Sequence, residues 1–308
     1  MIYNIYYLEY TKELLGMNSI QLKSRAKINL SLDVLGKRLD GYHEVKMIMQ
    51  QIDLYDNITV VERRDRETIQ ILTECEFIPK NNGNIAYRAA ELIRKQYNIS
   101  CGLDIYIEKN IPVAAGLAGG SSNAAAVLTG LNQLWQLKLA QKQLMELGVS
   151  IGADIPFCIM GSAAIAEGIG EKLTAVDGLK NVWMVLAKPA ISVSTAEVYS
   201  RLDLSKIENR PDTLKLLKAI KERDLYTLSK NMANVLETVT ERKHPIIKDL
   251  KKKMIEYQAL GSMMSGSGPT VFGIFKKYEK AKAAYENLKI INRQTYLVQS
   301  YSKGNNHE

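Results

Sequence analysis

Residues 20–34 alternate on a period of two. Ile20, Leu22, Ala26, Ile28, Leu30, Leu32 and Val34 fall on one face; Gln21, Lys23, Arg25, Lys27, Asn29, Ser31 and Asp33 fall on the other. Alternation on this scale predicts a half-buried strand, which needs a paired neighbour and a covering layer. Gly36 and the Asp40-Gly41 pair interrupt the pattern, and residues 45–54 resume it. The two runs read as antiparallel partners joined by a loop at 37–43. Further strand-like runs lie at 58–62 and 69–72.

Asn84 is placed to cap a helix that carries Ile85, Ala89, Leu92 and Ile93 on one stripe and ends near Tyr97. Leu103, Ile105 and Ile107 form a strand before Pro112. The helical spacing of Ala124, Val127, Leu128, Leu131, Leu134 and Trp135 follows it. Residues 142–147 suggest a short helix, and GADIPF a turn. Strands are expected at 161–166, 182–187, 271–275 and 295–299, with helices at 211–220, 224–237, 245–257 and 279–288. Strands mixed with helices, without a regular βα repeat, indicate the α+β class. The expected division is 1–177 and 178–308. Residues 1–16 are expected to be an extension ahead of Met17, and they match a signal peptide poorly, being tyrosine-rich without a basic leader.

No apolar run approaches the roughly 20 residues a spanning helix requires, so no membrane partner is expected. Three scattered cysteines, Cys75, Cys101 and Cys158, suit reduced thiols and a cytoplasmic setting. The formal charge of +8 permits an anionic ligand. The densest basic run is Lys251, Lys252 and Lys253, with Glu256 close behind; it reads as a solvated helix face, and no nucleic-acid partner is expected. His244 and His307 have no companion at metal-ligand spacing, and no zinc site is expected.

Between the strand at 103–107 and the next helix runs PVAAGLAGGSS: Pro112, Val113, Ala114, Ala115, Gly116, Leu117, Ala118, Gly119, Gly120, Ser121 and Ser122. Glycines let a backbone approach a ligand closely, and the free N–H groups of the following helix favour a polyphosphate. The same pattern also serves a plain tight turn. It is neither G-x-x-x-x-G-K-[ST], since no lysine precedes Ser121, nor G-x-G-x-x-G.

The segment PVAAGLAGGSSNAAAVLTGLNQLW resembles the second motif of the GHMP kinases (galacto-, homoserine, mevalonate and phosphomevalonate kinases), with Ala118 where the family often has glycine. SGSGPTVFGIF at 265–275 resembles the third motif. RAKINLSLDVLGKRLDGYHEV at 25–45 and GADIPFCIMGSAAIAEGIGE at 152–171 resemble segments of a family member that phosphorylates a cytidine diphosphate-linked polyol. The resemblance implies a two-domain kinase with the acceptor between its domains, ATP at 112–122, and Mg²⁺ accompanying ATP. It also implies Asp154 as the catalytic base and Lys27 as its basic partner. Acceptor contacts would come from Asn29, Tyr42, His43, Thr195 and Tyr199, with His43 reading the cytosine edge and Tyr42 lying against the ring. The chemistry is consistent on its own terms. A carboxylate can accept a hydroxyl proton, and a nearby ammonium keeps it ionised. Without the motifs, a strand lysine is ordinarily solvated and an aspartate in such a turn ordinarily a turn former. Two rival readings are another GHMP kinase, of homoserine or mevalonate type, and a silent member binding ligands through its basic surface. The DGYH and AKIN segments disfavour the first, and the presence of Lys27 and Asp154 disfavours the second.

Overall fold

The computed structural model describes residues 18–302; the expected extension at 1–16 lies outside them. The chain begins with β1 (Ser19–Lys37), β2 (His43–Arg63) and β3 (Ile69–Leu72), then α1 (Ile85–Gln96) and β4 (Gly102–Glu108). Three helices follow, α2 (Gly119–Leu134), α3 (Gln141–Val149) and α4 (Ile155–Met160), then β5 (Ala163–Gly168), β6 (Lys172–Ala175) and β7 (Trp183–Ala187). Next are α5 (Thr195–Ser200), a 3₁₀ turn (Leu204–Lys206), α6 (Thr213–Glu222), α7 (Leu225–Asn231), α8 (Glu237–Lys243) and α9 (Ile246–Glu256). The chain closes with β8 (Gly261–Met264), β9 (Val271–Phe275), α10 (Tyr278–Ile291) and β10 (Thr295–Gln299). The class is α+β, as expected.

Two compact units take alternate segments of the chain. The first holds the described residues up to Ser24, Tyr55–Val113 and Gly120–Ile159; the second holds Arg25–Leu54, Ala114–Gly119 and the described residues from Met160 onward. In the first unit β2 pairs antiparallel with β4, from Asn57 opposite Glu108 to Arg63 opposite Gly102, and β3 pairs parallel with β4. Their inner face, with Ile58, Val60, Ile69, Ile71, Leu103 and Ile105, joins one buried cluster with Ala89 and Ile93 of α1 and Val127, Leu128 and Leu131 of α2. Each Val, Leu or Ile side chain among these contributes about 1.5–3 kcal/mol by leaving water. Asn84 caps α1 as expected, its Oδ1 accepting from Ala86 N at 2.9 Å.

In the second unit β2 pairs antiparallel with β5, and β5 with β6. A separate antiparallel sheet has the order β10-β7-β9-β8. Helices α9 and α10 pack on this sheet, burying Leu250, Met254, Ala284 and Leu288.

The structure corrects four expectations. The strand at 20–34 is not half-buried beyond Arg25. Lys27, Asn29, Ser31 and Asp33 are buried along with the apolar positions, because their polar groups find partners inside. Asn29 Nδ2 donates to Met47 Sδ at 3.1 Å, Ser31 Oγ accepts from Ile48 N at 3.2 Å, and Asp33 Oδ1 pairs with Arg210 at 2.5 Å. The runs at 45–54 and 58–62 are one strand, since Tyr55 and Asp56 continue the extended backbone. GADIPF is a turn only as far as Asp154, after which α4 begins. The expected helix at 224–237 is split into α7 and the start of α8. Residues between them bond to β1 instead, with Leu32 N donating to Ala233 O and Val235 N to Leu32 O, each at 3.0 Å.

Candidate active site

In the second unit, the glycine-loop residues 114–119 dock on β1 and on the loop between β8 and β9. Lys27 N donates to Leu117 O at 3.1 Å, Ser265 Oγ to Gly116 O at 3.0 Å, and Thr270 N to Ala115 O at 3.3 Å. This docking requires glycine at 116. Its φ is +74°, and a Cβ there would stand 2.4 Å from Ser265 O and 2.9 Å from Gly268 O. The second and third motifs are thus in direct contact at Gly116. Ala114 and Ala118 also adopt left-handed backbone, at φ 51° and 56°. A residue with a Cβ occupies that region at a cost of about 1–2 kcal/mol. The departure from glycine at 118 therefore leaves the loop's conformation in place at a modest cost.

Lys27 extends from β1 within the same unit. Its side chain is buried, and Nζ donates to Asn29 Oδ1 at 2.7 Å. The period of two places the two residues side by side on one face. Thr195 stands at the start of α5, its Oγ1 2.8 Å from Ser267 Oγ. Tyr199, one turn further along that helix, meets His43: the ring centroids are 5.1 Å apart at 41°. Partial burial, with the Lys37 ammonium adding to it, lowers the His43 pKa below its ordinary value. At neutral pH the imidazole is therefore uncharged and offers one donor and one acceptor. Tyr42 is 60% exposed, and its ring contacts no other aromatic ring among the described residues.

The remaining expected residues belong to the first unit. Pro112 and Val113 end the segment before the loop, and Gly120, Ser121 and Ser122 form the first turn of α2. Gly120 is exposed and Ser122 buried. Asp154 is half-buried at the turn that leads into α4. That turn runs beside the start of α2, for a Cβ on Gly152 would lie 4.0 Å from Ser121 Oγ. The turn that carries the base candidate therefore comes close to the first turn of α2, at Gly152.

The GHMP kinases N terminal domain matches residues 84–162, and the GHMP kinases C terminal domain matches residues 216–293. The chain is 70% identical over 287 residues to the 4-diphosphocytidyl-2-C-methyl-D-erythritol kinase of Alkaliphilus metalliredigens, covering 93% of this chain and 98% of that protein. The chain belongs to the GHMP kinase family. Across this family it is also 52% identical over 289 residues to the enzyme of the same name from Clostridioides difficile, covering 94% of this chain and 97% of that one. A crystal structure of 4-(cytidine 5'-diphospho)-2C-methyl-D-erythritol kinase superposes with a TM-score of 0.79 at 30% identity, over 92% of this chain and all of that one. The homoserine kinase of Cytophaga hutchinsonii, at 18% identity and a TM-score of 0.74 over 92% of this chain and 95% of that one, shares the fold.

Residues outside the motifs hold the loop between β8 and β9. Asn234 Nδ2 donates to both Met264 O and Gly266 O at 2.8 Å, and Glu237 Oε1 accepts from Met264 N at 2.7 Å. Burial raises the Glu237 pKa, against the pull of Lys251 at 2.7 Å. Ser265 and Ser267 fall within the SGSG run of the third motif. Asn234 gave no such sign; an asparagine ahead of a helix ordinarily serves as its cap, and this one also bonds Leu236 N at 3.0 Å.

Proposed function

We propose that this chain transfers the γ-phosphoryl group of ATP to the 2-hydroxyl of 4-diphosphocytidyl-2-C-methyl-D-erythritol, a step of non-mevalonate isoprenoid precursor biosynthesis. The observation that carries the choice of acceptor is the His43–Tyr199 pair, a neutral imidazole edge beside an aromatic plane. A neutral imidazole matches the donor and acceptor of the cytosine edge, and aromatic planes stack on any base. Tyr42 adds a second, exposed ring. Asn29 and Thr195 contact the polyol.

Residues 112–122 hold the triphosphate through backbone N–H groups and the N-terminus of α2. Asp154 accepts the proton of the attacking hydroxyl. Lys27 keeps the reacting groups oriented, through a side chain held by Asn29. Mg²⁺ accompanying ATP would offset the phosphate charge. Among the described residues no group of three or more His, Cys, Asp or Glu is gathered to hold a metal. We assign the ATP-binding domain to residues 1–177, with 1–16 an extension ahead of it, and the second domain to 178–308. The domain matches, at 84–162 and 216–293, fall on either side of that boundary.

No helix among the described residues is long and apolar enough to cross a membrane. Cys75, Cys101 and Cys158 are all unbridged, which supports placing the enzyme in the reducing cytoplasm. The test is ADP release with the cytidyl alcohol, homoserine and mevalonate, for the native chain and for His43→Ala. Selective turnover of the cytidyl alcohol, diminished in the variant, is expected. Equal turnover of all three, or unchanged kinetics in the variant, overturns the assignment.

A further inference from the structure

We infer that Asp56 is a positioning residue for the ATP loop, clamping the segments that enter and leave it to one another. This rests on residues 112–122 being the ATP cradle. Asp56 lies midway along β2 and is fully buried. A carboxylate in such a place is costly unless it is paired and fully hydrogen-bonded. The partners that satisfy it come from the two flanks of the loop. On the entry side Lys109 Nζ pairs with Oδ2, while Asn110 N and Ile111 N donate to Oδ1 at 2.7 and 2.8 Å. On the exit side Asn123 Nδ2, in the first turns of α2, donates to Oδ2 at 2.7 Å.

The exit is gripped a second time. Asn123 Nδ2 also donates to Ser24 Oγ at 2.9 Å, and Ser24 Oγ donates to Ser122 Oγ at 2.7 Å. One carboxylate thus fixes the last residues before Pro112 relative to the first turns after Gly119. Those flanks decide where the loop's N–H groups point. A cradle made of backbone has no side chains of its own to set that geometry, so its rigidity must come from outside it. Lys109, whose side chain is itself only 7% exposed, offsets the charge of the carboxylate, so the clamp adds no uncompensated negative charge to the flanks of a phosphate site.

A purely structural role, closing the end of the β2–β4 ladder, makes a different forecast. It lowers thermal stability and leaves nucleotide affinity unchanged in the protein that remains folded. The deciding experiment is calorimetric binding of β,γ-methylene-ATP and of the cytidyl alcohol, together with Tm, for the native chain, Asp56→Asn, Asn123→Ala and Ser24→Ala. The clamp requires Asp56→Asn to weaken the ATP analogue at least tenfold and Ser24→Ala about threefold, with alcohol affinity changed less than twofold. Variants that melt earlier yet bind the analogue like the native chain overturn it, and so do equal losses for both ligands. Should Asp56→Asn fail to fold, Asn123→Ala and Ser24→Ala decide alone. Analogue affinity is read without any acceptor, so an error about the acceptor alcohol leaves this result intact. A native chain that binds no analogue counts instead against the ATP cradle.

Discussion

At residues 114–119 the chain is held by its backbone, with carbonyls bonded to Lys27 N, Ser265 Oγ and Thr270 N and Gly116 pressed against the third motif. At the tip of the β1–β2 hairpin, residues 37–43, the chain is held by its own turn. Arg38 N donates to Tyr42 O at 2.8 Å, Gly41 N to Arg38 O at 3.2 Å, and Arg38 bridges Asp40 and Glu44. Leu39 and Tyr42 stand out in solvent. Each loop carries a glycine at positive φ, yet a Cβ on Gly41 would meet nothing within 4 Å while one on Gly116 would meet two carbonyls. The difference suits the two ligands proposed for these loops. A phosphate is recognised by N–H groups that every residue has, so the donor loop needs shape and crowding. A base is recognised by particular side chains, so the acceptor loop needs display.

The contrast is broken most severely at Gly116. Gly116→Ala is expected to abolish turnover or folding, whereas Gly41→Ala should cost only the left-handed backbone, about 1–2 kcal/mol; urea denaturation and ADP release on both variants measure this. Asp154→Asn and Lys27→Ala, which alter chemistry rather than either loop's shape, should each lower kcat about a hundredfold. A folded Asp154→Asn enzyme with near-native kcat would falsify the base assignment.

The display loop should fail by selectivity. His43→Ala is expected to lower kcat/KM for the cytidyl alcohol tenfold or more while leaving ATP KM and Tm unchanged. A pH series sharpens the point. His43 has its pKa lowered by burial and by Lys37, so a neutral imidazole persists below the usual pKa of about 6.5. Alcohol affinity should decline as pH falls through the lowered value, and so at a lower pH than an unperturbed imidazole would give. Lys37→Met should move that decline to higher pH, as an NMR titration of His43 would show. The smallest effect belongs to Ala118, at φ 56°: Ala118→Gly should leave kcat unchanged and alter stability by no more than about 1 kcal/mol, favourably if relief of the backbone outweighs added chain entropy.

Much of this fold was legible because periodicity reports local geometry. Residues 20–34 had to be a strand and Asn84 had to cap a helix, and both hold. Periodicity also sorted Lys27, Asn29, Ser31 and Asp33 onto one face, but it could not say what lies over that face. An alternating strand looks the same whether its polar side meets water or Met47, Ile48 N and Arg210. The split between α7 and α8 was hidden for a related reason, since it is imposed by Leu32, two hundred residues away in sequence. The candidate site was legible wherever its residues sit in glycine or aromatic motifs. Asp56 and Asn234 carry no motif; their role exists only once distant backbone groups converge on one side chain.

The alternation of segments between the two compact units has a consequence for heredity and engineering. The chain passes from one unit to the other at residues 24, 54, 113, 119 and 159. A single crossover between two related genes therefore cannot exchange one unit whole. A hybrid joined after residue 159 would inherit β1 and β2 from one parent. From the other it would take Ala233 and Val235, which must bond to Leu32 of that β1, and Tyr301, whose carbonyl must meet Gln50 of that β2. Compatible hybrids should need several coordinated exchanges, so in descent the two units are expected to travel together.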